Sequence, residues 1–235
     1  MKIRIKKTIK LIKRTQSSIQ NRSSFFTMDR NERVNEFSQN DVRNCIKNIG
    51  SFDIRTYPNN YFVYKKIANW LNLKKENILI TDGAEGALLR FMSAFANVKD
   101  KVIYLDPSFG MYKVYCDIFR LRKYPLKLDM KKNFNFFNQL VQHIKKVRPN
   151  IIIIANPNQP IETMLNFNQI KYLCEIANKM KIFLVIDEAY YHFNNISAQR
   201  YIKKFNNLVV LRTFSKAFGL AGLRIGYCMS NKKII

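Results

Sequence analysis

Short apolar runs alternate along this chain with longer stretches in which apolar residues recur at helical spacing. The short runs predict strands, at Asn77–Thr81, Lys101–Leu105, Arg122–Pro125, Asn150–Ala155, Ile182–Ile186 and Leu208–Arg212. The longer stretches predict helices, at Tyr61–Asn72, Glu85–Ala96, Met111–Phe119, Phe136–Val147, Asn168–Met180 and Ile196–Phe205. Several strands are apolar throughout, which is typical of strands covered on both faces. The pattern therefore predicts an α/β fold, a mostly parallel sheet with helices on both faces.

Polar and turn residues follow most of the predicted strands directly. They form five groups, Thr81-Asp82-Gly83, Asp106-Pro107, Asn156-Pro157-Asn158, Asp187-Glu188 and Thr213 to Lys216. In open α/β sheets, ligands bind at the carboxyl ends of the strands. These segments are distant in sequence, and we expect them to build one site. The pattern alone does not identify the ligand.

Composition limits the class of protein. The chain has 235 residues, 47% of them apolar, which is enough for a buried core. No apolar run approaches the roughly 18 residues that a membrane span needs, so no membrane association is expected. The four cysteines are scattered and form no CxxC pair, which argues against a zinc site or a disulfide framework. This usage fits a reducing compartment, and we expect a cytoplasmic protein.

The formal net charge of +25 raises the possibility of a nucleic-acid partner. The lysines are spread along the whole chain, however, which indicates a general compositional bias, and we expect no nucleic-acid binding. The concentrated basic stretch is Met1 to Arg22, with no acidic residue before Asp29. It predicts a solvated arm, and an organelle transit peptide is the alternative. We divide the chain into a basic extension (1–27), an N-terminal arm (28–60) and a large domain (61–235).

The segment from Arg212 to Tyr227 carries the clearest chemical signal. A lysine beside a hydroxyl residue and before a Gly-rich turn suits attack on an aldehyde, while Ser215 and Arg224 can hold an anion nearby. The segment resembles the Schiff-base motif of the class I/II aminotransferases, fold-type-I pyridoxal-phosphate enzymes, in its histidinol-phosphate aminotransferase form. The resemblance implies pyridoxal 5'-phosphate as the cofactor. It also implies that Lys216 binds this cofactor and transfers the proton.

The segment Phe183–Phe193 ends a buried strand with an acid, which is costly unless the acid meets a positive partner. A protonated pyridine nitrogen is such a partner, and the resemblance implies that role for Asp187. It further implies that Tyr190 hydrogen-bonds the ring oxygen of the cofactor. A helix cap for the next element is the alternative interpretation of the Asp-Glu pair.

Thr81–Ala87 reads as a strand, a glycine turn and a helix start, where exposed amides bind phosphate. By itself the glycine could serve only the turn. The resemblance implies that Gly83, Ala84 and Glu85 hold the cofactor phosphate together with Ser215 and Arg224.

Two segments depart from the family. Phe109 stands where most relatives carry the tyrosine that stacks on the cofactor ring, so stacking is kept and a phenol hydrogen bond is lost; an ordinary core aromatic is the alternative. In Asn156–Glu162 the family usually shows Asn-Pro-Asn-Asn-Pro-Thr-Gly, and its last Asn donates to the ring oxygen. Here Gln159 takes that position, so either Gln159 or Asn158 is the donor.

Near the front of the chain, Met28–Val34 resembles the family's substrate-side segment, and Arg55–Pro58 resembles its Arg-Tyr-Pro element. In the family that tyrosine reaches the cofactor phosphate of the partner subunit in a homodimer, which implies the same role for Tyr57. A Tyr-Pro turn without a function is the alternative.

The resemblance runs from Met28 to Tyr227, and the family's small C-terminal domain, with the arginine that clamps the substrate carboxylate, has no counterpart. We therefore expect a truncated chain. The leading hypothesis is transamination from a small amino donor, with histidinol phosphate as the default, to a 2-oxo acid acceptor. A decarboxylase on the same scaffold and an inactive remnant are the alternatives.

Overall fold

The computed structural model describes residues 22–25, 27–129 and 136–235. Most of the basic segment Met1 to Arg22, with its alternative interpretations, lies outside the described residues. All four cysteines lie within them and are free thiols. No helix in the described ranges is long and apolar enough to cross a membrane.

The N-terminal arm contains two short helices that the sequence pattern did not predict. Helix α1 spans Gln39–Ile46 and begins after Ser38, whose Oγ accepts a hydrogen bond from the Asp41 N–H. Helix α2 spans Ser51–Arg55. Neither helix has a buried residue. Their apolar side chains remain largely exposed, so the two helices have no buried stripe for a sequence pattern to reveal.

A mixed sheet forms the centre of the large domain. Its strands are β1 (Ile78–Thr81), β2 (Lys101–Asp106), β3 (Arg122–Lys123), β4 (Leu126–Lys127), β5 (Ile151–Ala155), β6 (Phe183–Asp187), β7 (Leu208–Thr213) and β8 (Gly226–Ser230). The order is β1-β8-β7-β6-β5-β2-β3, with β4 also paired to β2. Strand β8 is antiparallel to both of its neighbours. The remaining pairs are parallel, which confirms the predicted mostly parallel sheet.

Helices cover the sheet on both faces, as predicted. They are α3 (Tyr61–Leu71), α4 (Gly83–Phe95), α5 (Met111–Ile118), α6 (Phe136–Val147) and α7 (Phe167–Met180). Alternate residues of β5 face opposite sides of the sheet. Ile152 and Ile154 join a core with α3, α6 and α7, whereas Ile151 and Ile153 join a second core with α4 and α5. These four isoleucines are fully buried, so the continuous apolar run was the correct signal for a doubly covered strand.

The predicted helix at Ile196–Phe205 is wrong. The segment forms only a single 3₁₀ turn at Gln199–Tyr201. The Ala198 N–H donates to Glu188 Oε1, and the Gln199 N–H donates to Ser197 Oγ. The N–H groups at the start of the predicted helix are thus hydrogen-bonded to side-chain oxygens. The apolar spacing that suggested a helix is real, because Ala198, Ile202 and Phe205 are buried.

Candidate active site

The carboxyl ends of β1, β2, β5, β6 and β7 meet at one edge of the sheet, where the five polar groups were expected to converge. A cavity of about 900 Å³ opens there. Its lining comes from the arm, the loops after β5 and β6 and the lysine loop, and includes four predicted site residues, Asn158, Gln159, Tyr190 and Lys216. The other predicted site residues are not part of this lining: Tyr57, Gly83, Ala84, Glu85, Phe109, Asp187, Ser215 and Arg224. Segments from both ends of the chain therefore enclose one concave site, the usual form of a small-molecule pocket.

Lys216 lies in the loop after β7 and lines this cavity. Its Nζ donates a hydrogen bond of 2.7 Å to the backbone carbonyl of Arg30 and lies 5.8 Å from the centre of the Tyr190 ring. Burial lowers the pKa of this amine; Glu32 opposes the shift and Arg224 adds to it. A lowered pKa increases the fraction of neutral amine, which is the nucleophilic form.

Asp187 is the last residue of β6 and is buried. Its Oδ2 accepts a hydrogen bond of 2.8 Å from the Tyr112 hydroxyl, and its Oδ1 accepts one of 3.0 Å from the Ala189 N–H. Burial raises the pKa of this carboxyl, and the two hydrogen bonds oppose the rise. Because burial and the two hydrogen bonds act on this pKa in opposite directions, a further positive or hydrogen-bonding group would stabilise the ionised carboxylate.

A cradle of donors lies between the start of α4 and the segment after β7. Gly83, Ala84 and Glu85 occupy the first turn of α4, where N–H groups lack intrahelical partners. Arg224 Nη1 lies 3.4 Å from Ser215 Oγ. The Gly83 backbone has φ +82°, and a Cβ added there would come within 3.1 Å of Arg224 Nη2. This glycine therefore permits both the turn and the close approach of the guanidinium, and the donor set suits an anion such as phosphate.

Polar side chains from the arm and two loops meet over the pocket. Asn31 Nδ2 donates to Gln159 Oε1 at 2.7 Å and to the Tyr190 hydroxyl at 2.8 Å. Asn158 also lines the pocket, but its Nδ2 donates to the carbonyls of Pro107 and Ile161.

Two further predicted site residues, Phe109 and Tyr57, differ in how far they are exposed. The Phe109 ring is about half exposed and packs edge-on against Tyr112, with the ring centres 5.6 Å apart. Its exposure disfavours the alternative of an ordinary core aromatic. Tyr57 is fully exposed and does not line the pocket.

Beneath the site a buried ion pair joins β6 to β7. Arg212 Nη2 lies 2.9 Å from Glu188 Oε2, with 3% and 0% of the two side chains exposed. Glu188 also accepts from Ser197 Oγ and from the Ala198 N–H. Burial raises the pKa of Glu188, and Arg212 opposes that shift. The pair fixes the segment 189–198, which carries Tyr190 into the pocket. The alternative interpretation of Asp187-Glu188 as a cap is also met in part, because Asp187 accepts from the Ala189 N–H and Glu188 accepts from the Ala198 N–H of the segment that follows.

Sequence reasoning did not single out Tyr112, Asn31 or the Glu188–Arg212 pair. Each acts through a partner far away in sequence, and no local spacing reveals such contacts. Tyr112 stands three residues after Phe109, so both lie near the start of α5. Its closeness to Phe109 in sequence was the one local feature that could have indicated a role for Tyr112 at the site.

The sheet order, the helices on both faces and the site at the strand ends define the large domain of the pyridoxal-phosphate-dependent transferase fold. The sequence pattern of the family described as aminotransferase class I and II matches residues 35–235. The chain therefore belongs to this family, as the lysine motif suggested.

Among curated relatives, the histidinol-phosphate aminotransferase of Thermoanaerobacter pseudethanolicus is 32% identical over 212 residues, covering 89% of this chain and 59% of the relative. Two solved structures are also similar. The histidinol-phosphate aminotransferase of Sinorhizobium meliloti, in complex with pyridoxal-5'-phosphate, has a TM-score of 0.70 at 21% identity, covering 78% of this chain and 51% of that one. The L-threonine-O-3-phosphate decarboxylase of Porphyromonas gingivalis has a TM-score of 0.64 at 26% identity, covering 77% and 53%. This chain thus spans about half to three fifths of the length of these relatives.

Proposed function

We propose that this chain provides the cofactor site of a pyridoxal-phosphate-dependent aminotransferase similar to histidinol-phosphate aminotransferase. The reaction would move the amino group of an amino acid or amino-alcohol phosphate to a 2-oxo acid. The observation that carries the proposal is the position of Lys216. Its amine, with a lowered pKa, lies in a pocket of about 900 Å³, in the same loop as the Ser215 hydroxyl of the anion cradle.

The residues present fit this cofactor, since its aldehyde, its ring nitrogen and its phosphate each find a suitable group. When bound, pyridoxal phosphate supplies an electron sink for the bonds at the substrate α-carbon. Lys216 would bind the aldehyde carbon through Nζ. After the substrate amine displaces it, Nζ would carry the proton between the substrate α-carbon and the cofactor carbon.

Two residues would orient the ring. Asp187 would accept the N–H of the protonated ring nitrogen, since its buried carboxylate requires a positive partner. The Tyr190 hydroxyl would donate to the ring oxygen, and its pKa is raised by burial, which keeps the donor proton in place at neutral pH. Phe109, which is about half exposed and packs edge-on against Tyr112, would stack on the ring face.

Gln159 is the better candidate for the second donor to the ring oxygen. Both hydrogens of the Asn158 amide nitrogen are used by the carbonyls of Pro107 and Ile161. Gln159 accepts from Asn31 through Oε1, which leaves its Nε2 to donate into the pocket.

The phosphate would bind in the cradle. The amides of Gly83, Ala84 and Glu85 supply donors aligned with the dipole of α4. Ser215 and Arg224 complete the set, and the Arg224 guanidinium adds a fixed positive charge.

We further propose that the active form is a homodimer. Many large apolar side chains of the arm and of α3 are exposed, among them Phe52 and Ile54 in the arm and Phe62 and Val63 in α3. Exposed apolar surface of this kind marks an interface. In such a dimer the exposed Tyr57 would reach the cofactor phosphate of the partner.

Decarboxylation is the second candidate, and the similarity to the Porphyromonas gingivalis decarboxylase favours it. The same electron sink serves both reactions, and the described residues at the ring are compatible with either. A cofactor-binding chain without turnover is the third candidate.

One experiment separates these candidates. The purified chain is loaded with pyridoxal phosphate and given histidinol phosphate with 2-oxoglutarate, and in parallel threonine phosphate. Histidinol phosphate has no carboxyl group, so glutamate formed from that mixture can only come from transamination. Carbon dioxide from threonine phosphate without glutamate formation would favour the decarboxylase instead. Neither product, despite a Lys216-dependent cofactor adduct, would identify a binding-only chain. The Lys216→Ala variant is the control for all three assays.

A further inference from the structure

Tyr112 lies in the first turn of α5 and is completely buried, with 0% of its surface exposed. Its hydroxyl donates a hydrogen bond of 2.8 Å to Asp187 Oδ2, although 75 residues separate the two in sequence. A buried phenol and a buried carboxylate in contact form a strong, charge-assisted pair only while the acid is ionised and accepts.

The Asp187 carboxylate is held from two directions. Tyr112 donates to one oxygen, and the Ala189 N–H donates to the other. Each carboxylate oxygen has a second acceptor position, so the group can still accept further hydrogen bonds. Two fixed donors therefore set the plane of the carboxylate before any ligand arrives.

We propose that Tyr112 is a positioning residue: through its hydroxyl it keeps Asp187 ionised and oriented to accept the N–H of a heteroaromatic ring nitrogen. This inference rests on the proposed function, in which that ring belongs to the cofactor. Without the hydroxyl, Asp187 would keep only the Ala189 amide in a buried site. It would then take up a proton and rotate more freely, and both changes weaken its bond to a ring N–H.

Tyr112 also supports Phe109 through its ring, so its substitution must separate the hydroxyl from the ring. Tyr112→Phe does so, because it keeps the aromatic packing. Tyr104→Phe is the matched control, since Tyr104 is also buried and packs 6.4 Å from Tyr112, ring centre to ring centre, on the same side of the sheet.

The test compares two ligands, pyridoxal phosphate and the analogue in which the ring nitrogen is replaced by CH. Dissociation constants are measured for the wild-type chain, Tyr112→Phe, Tyr104→Phe, Asp187→Asn and the double variant Tyr112→Phe/Asp187→Asn. The readout is the ratio of the two constants within each protein, which cancels contributions from the aldehyde and the phosphate. We expect Tyr112→Phe to reduce the preference for the nitrogen-containing ligand by about 10-fold or more, and Tyr104→Phe to preserve it. In the Asp187→Asn background, Tyr112→Phe should have no further effect.

The outcomes are distinct. Equal weakening of both ligands in Tyr112→Phe, or a preference that is unchanged or larger, would overturn the positioning role and leave the proposed function intact. A wild-type chain that captures neither ligand at Lys216 would overturn the proposed function and this inference with it. If Tyr112→Phe does not fold while the double variant does, the result would support coupling between the Tyr112 hydroxyl and the charge on Asp187. If neither folds, Tyr112 is only a packing residue and the inference fails.

Discussion

The Nζ atom of Lys216 donates a hydrogen bond of 2.7 Å to the backbone carbonyl of Arg30, across 186 residues of sequence. The same arm contacts the lysine loop again, because a Cβ added to Gly219 would come within 2.5 Å of Arg33 Cδ. The arm and the lysine loop therefore close the pocket together, and the local environment of the amine depends on both.

Lys216 should react with pyridoxal phosphate at a lower pH than a free lysine. Burial lowers the pKa of its amine, and Arg224 adds to this effect. The rate of borohydride-trapped capture should rise with pH, with a midpoint below the ordinary value of 10.5. Glu32 raises this pKa, so Glu32→Gln should shift the midpoint further down and speed capture near neutral pH. The exposed Glu36→Gln is the control, and a midpoint that Glu32→Gln leaves in place would contradict the assignment.

Asp187→Asn should stabilise the cofactor-free chain near neutral pH while abolishing the preference for a nitrogen-containing ring. Burial raises the folded-state pKa of this carboxyl above 3.8. The folded state then binds more protons than the unfolded state, so its free energy of unfolding falls as the pH rises from about 3.8 through the folded-state pKa. Removing the charge should recover about 1–2 kcal/mol. Urea unfolding at several pH values measures this difference, with Asp106→Asn, an exposed acid at the end of β2, as the control. A loss of stability at neutral pH in Asp187→Asn would show that the folded state favours the charge.

Gly83→Ala should weaken cofactor phosphate binding and the fold together. The residue has φ +82°, and its new Cβ would lie 3.1 Å from Arg224 Nη2. The left-handed backbone alone costs about 1–2 kcal/mol, and displacement of the guanidinium should lower affinity for inorganic phosphate as well as for the cofactor. Gly110→Ala is the matched control, since a Cβ there meets nothing within 4 Å. Equal thermal melting and equal phosphate affinity in the two variants would refute the cradle.

Breaking the buried Glu188–Arg212 pair should be costly. Glu188→Gln leaves the Arg212 guanidinium without its charged partner in a site where 3% of that side chain is exposed. A loss of about 3–5 kcal/mol in the free energy of unfolding is expected. Glu175→Gln removes an exposed pair with Lys171 on α7 and should cost no more than about 0.5 kcal/mol. If both substitutions cost the same, the buried pair does not anchor the segment after β6.

The fold was predictable where burial follows the local pattern. The run at Ile151–Ile154 identified a doubly covered strand, and the helix predicted at Tyr61–Asn72 forms as α3 and buries Ile67, Ala68 and Leu71. Strand β8 was missed because it follows the glycine-rich lysine loop without a turn signal of its own. Helix 196–205 was wrongly predicted because the contacts of Glu188 with Ser197 and Ala198 override the local spacing.

The site was predictable in its location and less so in its contacts. The ends of the predicted strands place Asp187 and Lys216 at one edge of the sheet. The choice between Asn158 and Gln159 could not be made from sequence, because it depends on the carbonyls of Pro107 and Ile161 lying near the Asn158 amide. The Tyr112–Asp187 bond joins α5 to β6, and only the folded chain brings the two together.

The most direct test of a cofactor site at Lys216 is the near-visible absorbance spectrum of the purified chain titrated with pyridoxal phosphate. The titration is followed by borohydride reduction and peptide mass spectrometry. Lys216→Ala is the variant, and Lys171→Ala, an exposed lysine on α7, is the matched control. A cofactor site at Lys216 predicts a saturable band that appears in the wild-type chain and in Lys171→Ala, is absent from Lys216→Ala, and is fixed by borohydride on Lys216. A band of equal intensity in Lys216→Ala, or a reduced adduct spread over other lysines, would contradict a cofactor site in this chain.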